Sequence, residues 1–388
     1  MEKLSDIFEQ PISGEWGKEL DPSNDGVPVI RTTNFTNVGR ISYDNIVYRN
    51  IDIKRHKNKI LQNGDIIIEK SGGTPQNPVG RVVLFEVPDA KVYFCNNFTG
   101  ILRLRKKYNP KYMLYLLQYL YNVRRVLPFQ NKTTGIANLQ LKNYLSQTEV
   151  DIPTIEKQDY CVGILQKCQY LIDKYHFILT KLDGLVKSRF IEMFGDPVTN
   201  PMGWPVKKLS DVAEYYNGLT YHPEYTANEG TLVLRASNIQ EGRLAFDDNV
   251  FVSCDIKEKY FVKDNDILMC SRNGSVRLVG KVAVIRDIEK PMTFGAFMMI
   301  IRSELWAYLY VYFQMTAFRR QIITGKTSTI NQITGKMLNA VQLPIPSKDS
   351  VEVFMKFTQF ADKSRFIIRK LLEKYELIKA VLMQEYFG

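Results

Sequence analysis

An internal duplication constrains the fold of this 388-residue chain more than any other feature of its sequence. Short segments of the first half recur in the same order in the second half, as expected for two copies of one unit with loops of different length. The matched pairs are KLSDI (3–7) and KLSDV (208–212), VIRTTN (29–34) and VLRASN (233–238), NGDIIIEKSGG (63–73) and DNDILMCSRNG (264–274), VGRVVLFE (79–86) and VGKVAVIR (279–286), KTTGIANLQLK (132–142) and KTSTINQITGK (326–336), VDIP (150–153) and VQLP (341–344), and EMFG (192–195) and EYFG (385–388). A Gly-Arg pair, Gly39-Arg40 or Gly242-Arg243, follows the second match in each half. The chain is therefore predicted to form two equivalent units.

Within each half, the hydrophobic pattern changes from that of strands to that of a helix. Apolar runs at 65–68 and 82–85, and their counterparts at 266–269 and 282–285, are short and bounded by turn-forming residues, which is typical of strands. Around 110–127 and 305–323 the apolar spacing becomes three and four residues, which predicts a helix. We therefore predict an α+β fold with tandem, β-rich units.

A long amphipathic helix is predicted to follow each β-rich unit. Apolar residues recur every seven positions from Ile155 to Phe194 and again in 346–388, as in the seam of a coiled coil. Two such seams on one chain most simply bury each other in an antiparallel coiled coil with an approximate twofold axis; the alternative is that each helix packs on its own unit. The predicted domains are 1–150 and 196–345, followed by long helices at 151–195 and 346–388. The predicted seam residues are Leu165, Ile172, Leu179, Leu182, Val186, Phe354, Phe357, Ile368, Leu371, Tyr375, Ile378 and Leu382.

Composition and motifs argue against several classes of function. No run of eighteen apolar residues and no signal-peptide pattern is present, so we expect a cytoplasmic protein without a membrane partner. The five cysteines have no CxxC spacing and the three histidines are scattered, so we expect reduced thiols and no metal site. The run from Gly325 to Ser328 is not a phosphate-binding loop, because Arg320 stands where that motif needs glycine. No catalytic residue is predicted.

The net charge of +11 favours a polyanionic partner, and the join between the halves identifies a family. The join, EMFGDPVTNP at 192–201 with Trp204, and the KLSD start of each unit resemble the specificity subunit of type I restriction-modification enzymes. The similarity covers essentially the whole chain. It implies that each β-rich unit is a target-recognition domain that reads one half of an asymmetric, bipartite site in double-stranded DNA.

The resemblance also implies the partners and the division of labour. The long helices would set the spacing of the half-sites and dock two modification (methyltransferase) subunits, and a restriction (endonuclease/translocase) subunit would be an optional third partner. This chain would be non-catalytic and would bind no cofactor, with S-adenosylmethionine, and ATP with Mg where a restriction subunit exists, bound by the partner subunits. Two alternatives stay open at this point: the specificity subunit of a type IIB-like system, and a scaffold that does not bind DNA.

Candidate DNA-binding residues are those that suit base edges or phosphates and lie in loops at matching places in both halves. We name these the A loops (70–81 and 271–281), the B loops (132–134 and 326–328) and the C loops (31–34 and 235–238). For the C loops, a hydrogen-bonding turn at a strand end is an equal alternative. Tyrosines 112, 115, 119 and 121 are expected to belong to the core rather than to a base-stacking surface. The candidates are Lys70, Ser71, Thr74, Gln76, Asn77, Arg81, Ser271, Arg272, Asn273, Arg277 and Lys281 in the A loops, Lys132, Thr133, Thr134, Lys326, Thr327 and Ser328 in the B loops, Arg31, Thr33, Asn34, Arg235, Ser237 and Asn238 in the C loops, and Tyr221 and His222.

Overall fold

The computed structural model of the chain describes residues 1–20, 25–73, 77–105, 108–133, 136–286, 288–322 and 332–388, with only the backbone at 132, 133 and 136. The chain forms two compact units. The first comprises Met1–Tyr175 and Leu371–Gly388, and the second comprises His176–Lys370. Each unit therefore contains parts of both long helices, whereas the predicted domains, 1–150 and 196–345, do not include the helices.

The first unit is a set of small sheets with helices on one side. Its main sheet has the strand order β2-β9-β5-β7, a second sheet has the order β4-β3-β8, a third has the order β10-β11-β6, and β1 pairs with β12. The strands are β1 Glu2–Lys3, β2 Ile12–Ser13, β3 Val27–Ile30, β4 Val47–Arg49, β5 Ile66–Glu69, β6 Ser71–Gly73, β7 Val82–Leu84, β8 Phe94–Cys95, β9 Thr99–Leu102, β10 Gln130–Thr133, β11 Ile136–Leu139 and β12 Glu149–Val150, and the helices are α1 Leu4–Ile7, α2 Pro110–Asn122, α3 Leu141–Gln147 and the start of α4, Ile155–Phe194.

The second unit repeats this arrangement. Its main sheet has the order β14-β23-β20-β21, a second sheet has the order β15-β19-β16-β22, and β13 pairs with β24. In both units the second sheet contains one parallel pair, β3 with β8 and β16 with β22. The strands are β13 Val206–Lys208, β14 Glu214–Asn217, β15 Thr226–Ala227, β16 Thr231–Leu234, β17 Ile239–Gln240, β18 Arg243–Leu244, β19 Phe251–Val252, β20 Ile267–Cys270, β21 Val282–Val284, β22 Met292–Phe294, β23 Met298–Arg302 and β24 Gln342–Pro344, and the helices are α5 Trp306–Phe313, α6 Thr316–Ile322, α7 Gly335–Ala340 and α8 Lys348–Phe387. The predicted duplication and the α+β class are confirmed.

A central strand of each main sheet is almost entirely apolar because both of its faces are buried. In β5, Ile66 and Ile68 pack with α2, whereas Ile67 faces the second sheet. In β20, Ile267 packs towards α5 and Leu268 towards the second sheet. A strand that is covered on both sides reads as a continuous hydrophobic run, which explains the IIIE and ILMC segments.

The shorter helices end earlier than the sequence predicts. Helix α2 begins after Asn109, whose side chain caps two backbone N–H groups, and it ends at Asn122 because Arg124 takes a left-handed conformation (φ 65°). The predicted helix at 305–323 is two helices, α5 and α6. Between them, the backbone N–H groups of Gln314 and Met315 each donate to the carbonyl three residues earlier, which turns the chain.

The join between the halves is held by hydrogen bonds from its own motif. Helix α4 ends at Phe194, and Gly195 then takes a left-handed conformation (φ 76°). The indole N–H of Trp204 donates to the carbonyl of Phe194 at 3.1 Å, and the Asn200 side chain bonds both the N–H and the carbonyl of Trp204. The join residues that carry the family resemblance therefore terminate the helix.

Helix α4 runs over the predicted span, and segments of α4 and α8 run antiparallel within each unit. In the first unit, the Lys379 ammonium donates to the Gln169 amide oxygen at 2.5 Å and Tyr175 contacts Tyr375. In the second unit, Arg365 donates to the carbonyl of Leu182 and Phe190 packs on Phe354. Pairing along the whole length of the two helices stays a prediction.

Each unit also uses these helices to complete its own core. Cys161, Val162 and Leu165 of α4 and Met383 of α8 belong to the main core of the first unit. Val186, Phe190 and Phe194 of α4 and Val351, Phe354 and Ala361 of α8 belong to that of the second. Parts of both helices therefore belong to the core of each unit, and the antiparallel coiled coil stays a prediction.

The predicted seam is buried or half-buried at every position, although its second column in α8 lies elsewhere than predicted. Leu165, Ile172, Val186 and Phe354 are buried, and the other eight residues are half-buried. In α8 the more buried column runs through Thr358, Arg365 and Leu372 rather than through Phe357, Leu371 and Ile378. A search for apolar heptads misses this column because Thr358 and Arg365 are polar.

Two further expectations concern single residue types and membrane spans. All five cysteines are free thiols, and four of them are buried, as expected. No helix within the described ranges has both the length and the apolar character that a membrane span requires.

Candidate nucleic-acid interface

The first unit brings its A and B loops together at one edge of a small sheet. Strand β6 starts the A loop, and it pairs with β11, which follows the B loop: Ser71 faces Asn138 and Gly73 faces Ala137. The side chains of Ser71 and Asn138 are hydrogen-bonded to each other. The B-loop residues Lys132 and Thr133 lie at the end of β10, which pairs with β11. The described parts of the two loops therefore lie on the two strands that flank β11.

The second unit places its A loop in the same way. A bridge joins Arg272 to Gln332, and the Ile333 N–H donates to the Ser271 carbonyl at 2.7 Å. Gln332 and Ile333, which follow the B loop in sequence, therefore lie beside the start of the A loop. The A loop of each half is thus a candidate interface, and the second B loop lies outside the described residues.

An exposed phenylalanine stands beside each A loop and was not predicted from the sequence. Phe98 is 51% exposed and its carbonyl accepts the Lys70 N–H. Phe297 is 59% exposed, and its carbonyl accepts the N–H groups of Ser271 and Arg272. The only signal in the sequence is a phenylalanine at the same place in NNF (96–98) and GAF (295–297), before β9 and β23. An exposed aromatic side chain at a loop tip is suited to contact with bases.

The scaffold forces the backbone close together beneath these phenylalanines. A Cβ added to Gly14 would lie 2.1 Å from the Asn96 carbonyl oxygen, and one added to Gly218 would lie 2.0 Å from the Gly295 carbonyl oxygen. No side chain fits at either position. Each glycine therefore lets the loop that carries the phenylalanine pack closely on the segment that follows β2 or β14. The two units thus share the support of the loop and differ in the loop itself.

The basic residue that ends each A loop has different surroundings in the two units. Arg81 forms a bidentate ion pair with the buried Glu69 at 2.9 and 3.0 Å, and hydrogen bonding to Glu69 raises the pKa of the Arg81 guanidinium. In the second unit Cys270 replaces Glu69 and Lys281 replaces Arg81. Lys281 has no carboxylate within ion-pair distance among the described residues. The Arg81 side chain therefore stabilises the fold, whereas the Lys281 ammonium can bind a ligand.

The other A-loop candidates divide by exposure. In the second unit, Arg272 and Arg277 are exposed, and the Arg272 guanidinium lies 5.8 Å from the centre of the Phe297 ring. In the same unit, Ser271 is buried and donates to the Phe297 carbonyl, and Asn273 accepts the Ser275 N–H within its own turn. Among the A-loop candidates of the second unit, Arg272 and Arg277 are therefore the ones with exposed side chains.

In the first unit the A-loop candidates with described side chains are more constrained. The Lys70 ammonium donates to the Ser13 hydroxyl at 2.9 Å, and burial lowers the pKa of Lys70. Asn77 is exposed. Lys70 therefore presents a partly buried amine beside Phe98, which differs from the fully exposed arginines of the second unit.

The C loops are hydrogen-bonding turns in both units. Asn34 accepts the Arg31 N–H at 2.9 Å and donates to the Ser42 carbonyl, and Asn238 makes the same bonds to Arg235 and Ala245. Both asparagines are buried, so the turn alternative accounts for them and a base edge cannot reach them. Of the other C-loop candidates, Thr33 is exposed and Ser237 is half-buried.

The C-loop arginines are likewise held within their own units. The Arg31 guanidinium donates to the Asn45 carbonyl at 3.0 Å, and the Arg235 guanidinium pairs with Asp248 at 2.9 Å. Both side chains are half-buried. The repeated RTTN and RASN motifs therefore stabilise a turn, and that role explains why they match between the halves.

The remaining candidates have diverse positions. Tyr221 packs against a small core that includes Val233 and Val252, while His222 is exposed and starts a short turn against Tyr225. Tyr112 and Tyr115 of α2 are buried in the core, as expected. The side chains of Lys132 and Thr133, and the residues Thr74, Gln76, Thr134, Lys326, Thr327 and Ser328, lie outside what the structure describes.

No metal site is found among the described residues. In the described ranges, His, Cys, Asp and Glu side chains make no group of three or more that could hold an ion. What the interface does offer is a set of loops with exposed aromatic and basic side chains on two similar scaffolds. Such a set suits binding to a polyanion with stacked bases.

Comparison with known proteins gives a family for both halves. The family described as type I restriction modification DNA specificity domain matches residues 1–180 and again 201–374. The two matches begin near the two KLSD motifs and together span most of the chain.

Individual relatives agree with this match. The chain is 31% identical over 157 residues to the type I restriction enzyme StySPI specificity subunit of Salmonella potsdam, and 29% identical over 155 residues to the EcoKI specificity subunit of Escherichia coli K12. Each alignment covers 38% of this chain, and they span only 34% and 33% of those relatives. The MjaVIII specificity subunit of Methanocaldococcus jannaschii is 22% identical over 292 residues, which are 70% of this chain and 68% of that protein.

Two solved structures share the fold over the whole chain. One is the S subunit of a type I restriction-modification system from M. genitalium, with a TM-score of 0.59, 14% identity and coverage of 100% of this chain and 95% of that one. The other belongs to a type I system studied for complex assembly and conformational transition, with a TM-score of 0.55, 14% identity and coverage of 100% and 96%. At this identity the likeness concerns the fold.

Proposed function

This chain belongs to the type I restriction-modification DNA specificity family, and from that premise we propose that each unit reads one half of a bipartite site in double-stranded DNA. One observation carries the proposal. The two units share a scaffold, and beside the same exposed phenylalanine they present loops of different chemistry: Lys70-Ser71 in the first and Ser271-Arg272 in the second. Two similar supports with different reading surfaces suit two different half-sites, so the site should be asymmetric.

The roles of the contacts follow from their chemistry. Arg272, Arg277 and Lys281 can donate to phosphates or to guanine edges in the major groove, and Phe297 can pack against bases. In the first unit Lys70 and Phe98 take these parts. The long helices would set the separation of the half-sites.

The proposed protein partners are two modification subunits, with a restriction subunit as an optional third. Exposed apolar side chains on the long helices support a protein partner there: Tyr160 and Tyr170 in the first unit, and Phe177, Phe360 and Phe366 in the second. Large apolar groups grouped on one element mark interaction surfaces. The partners would bind S-adenosylmethionine, or ATP with Mg, and carry out the chemistry, and this chain would supply recognition in the cytoplasm.

Genome-wide mapping of modified bases tests this function. The gene is expressed with its modification subunit in a host that lacks both, and each gene alone is the control. We expect a split, asymmetric motif that is modified only when both genes are present. If the two proteins are soluble and associated yet no motif is modified, the proposal fails.

A salt series separates DNA recognition from a scaffold role. Binding through phosphates makes the affinity for a DNA duplex fall steeply with salt, because counterions are released. In a duplex that carries the mapped motif, Arg272→Ala and Arg277→Ala should each lower the slope by about one. An unchanged slope in both variants would contradict a phosphate-binding role of the second A loop.

A further inference from the structure

The repeated Gly-Arg pairs are not explained by DNA reading. In the second unit, Glu241 and Gly242 form the two-residue turn between β17 and β18, both with positive φ (49° and 76°), and the Tyr310 hydroxyl donates to the Gly242 carbonyl at 2.7 Å. In the first unit Gly39 (φ 77°) accepts the Leu84 N–H. The glycine of each pair therefore fixes a turn, which leaves the role of the arginine to be found.

Each of these arginines borders a cavity inside its own unit. The cavity of the first unit has a volume of about 870 Å³ and that of the second about 740 Å³. In the first, two of the basic groups are paired: Arg40 bonds Asp173 at 2.6 Å and Lys111 bonds Glu86 at 3.0 Å. The second, which we name the arginine cavity, is lined by four arginines and four carboxylates: Arg243, Arg286, Arg365, Arg369, Asp183, Glu241, Glu289 and Asp362.

The sequence shows that this cluster is particular to the second half. In the aligned motifs Arg286 stands where the first half has Glu86. Counted back from the matching EMFG and EYFG segments, Arg365 and Arg369 stand where the first half has Ile172 and His176. Three guanidinium groups therefore occupy places that are acidic, apolar or weakly basic in the other copy.

Several donors in the arginine cavity lack an acceptor. Arg365 is only 7% exposed; its terminal nitrogens bond Asp362, Asp183 and the Leu182 carbonyl, but its buried Nε has no hydrogen-bond partner. The Nε and Nη2 atoms of Arg286 are also buried without a partner. Buried donors without acceptors are rare and destabilising, so the guanidinium groups of Arg286 and Arg365 keep unused hydrogen-bonding capacity beside the cavity.

Two of the four arginines are closely paired with carboxylates and two are not. Arg369 lies 3.3 Å from Glu241, and Arg365 lies 2.9 Å from Asp183. Arg286 lies 3.9 Å from Asp362, and Arg243 lies 3.8 Å from Asp183, both beyond hydrogen-bond length. Burial, and then the neighbouring Arg369 and Arg365, lower the pKa of Arg243. An anion bound among these groups would relieve this repulsion, because guanidinium groups pair with phosphate and carboxylate through paired N–H donors.

Part of the cavity wall is apolar. Leu232, Met292 and Trp306 are buried there, and Trp306 lies under the Arg286 guanidinium at 4.1 Å. A volume near 740 Å³ is in the range of about 300 to 1,000 Å³ that is usual for small-molecule sites. A ligand that satisfies both the charged and the apolar part of the wall combines an anionic group with a flat or apolar part.

We propose that the arginine cavity binds a phosphorylated small molecule with an aromatic part, of the mononucleotide class. The phosphate oxygens accept hydrogen bonds from the guanidinium groups of Arg243 and Arg286, while the aromatic ring lies on the apolar wall. The matching cavity of the first unit carries Glu86 in place of Arg286, which disfavours an anion there.

Calorimetry on the full-length chain tests the proposal with AMP, adenosine and inorganic phosphate as probes. AMP should bind at one saturable site, and adenosine and phosphate should each bind at least about tenfold more weakly because each satisfies only one part of the wall. Absence of AMP binding, or equal binding of AMP and phosphate, would overturn the proposal.

Variants locate the site. Arg243→Gln, which leaves the hydrogen-bonded groups of Arg365 in place, should weaken AMP by about tenfold or more. Arg286→Glu, which installs the residue of the first half, should abolish binding. Arg40→Gln, at the matched place in the first unit, is the control and should leave the AMP affinity unchanged. If Arg243→Gln binds AMP like the original chain, or if no probe binds and both second-unit variants instead weaken association with the modification subunit, the cavity is not a nucleotide site.

Discussion

The two units differ most where they meet solvent and least where they meet their own core. Asp65 pairs with Arg103 at 2.7 Å in the first unit, and Asp266 pairs with Arg302 at 2.6 Å in the second, each within an equivalent turn. The A loops, by contrast, share almost no side-chain chemistry. Buried residues that match between the copies therefore mark the scaffold, and exposed residues that differ mark surfaces whose ligand differs between the halves.

The comparison also warns against reading every repeated polar residue as functional. Asn34 and Asn238 match and suit adenine chemically, yet both are buried turn residues. Phe98 and Phe297 also match, yet both are exposed. Burial, rather than identity between the copies, separates scaffold residues from candidate contacts.

The strongest test of the shared scaffold is removal of its buried carboxylates. Asp65→Ala and Asp266→Ala each leave an arginine and a turn N–H without their acceptor, so each should lower the free energy of unfolding by about 3 to 5 kcal/mol. Urea denaturation of the full chain measures the change. Asp255→Ala, at an exposed aspartate, is the control, with an effect within about 0.5 kcal/mol. A large effect in one unit and none in the other would break the equivalence of the scaffolds.

A second pair of variants should show unequal effects. Arg81→Ala leaves the buried Glu69 without its partner and should destabilise the protein by about 3 kcal/mol, whereas Lys281→Ala removes no ion pair and should cost less than about 1 kcal/mol. The same denaturation experiment compares them. Equal losses would contradict the assignment of Arg81 to the scaffold and Lys281 to the surface.

The exposed phenylalanines test the reading surfaces. Phe98→Ala and Phe297→Ala should each weaken binding to a duplex with the mapped motif by about tenfold, without a change in stability beyond about 0.5 kcal/mol. Each variant is assayed on duplexes that carry changes in one half-site. Relaxed discrimination should appear in one half only, and relaxation of both halves by one variant would contradict separate reading.

The smallest expected effect is a pH dependence confined to the first unit. Burial lowers the pKa of Lys70, so its charge is lost at a lower pH than that of an ordinary lysine, whose pKa is about 10.4. DNA affinity at alkaline pH should therefore fall in the original chain and fall less in Lys70→Arg. The folded state holds this proton less tightly than the unfolded chain does, so rising pH favours folding at this residue and the loss is not unfolding. Identical pH profiles would remove Lys70 from the interface.

Much of the fold could be predicted because its signals are local or repeated. The duplication follows from matched motifs, the β5 and β20 strands from apolar runs, and α4 from its heptads and from Gly195 after its end. These features can be recognised by reading along the sequence. They need no knowledge of which elements meet.

The rest depended on contacts between distant residues. The sequence did not indicate that Glu69 holds Arg81, because an ion pair across two strands has no local pattern. It did not indicate the burial of Arg365, because a charged residue in a seam is counted as solvent-facing. The exposure of Phe98 was hidden for the opposite reason, since an aromatic residue between strands is usually assigned to a core.

The central claim is that each unit reads its half-site independently. Exchange of residues 1–150 for the corresponding segment of another specificity subunit, followed by mapping of modified bases in cells that also express the modification subunit, tests it most directly. The account predicts a new motif in which one half changes and the other half keeps its sequence. A motif that changes in both halves, or in neither, would contradict it.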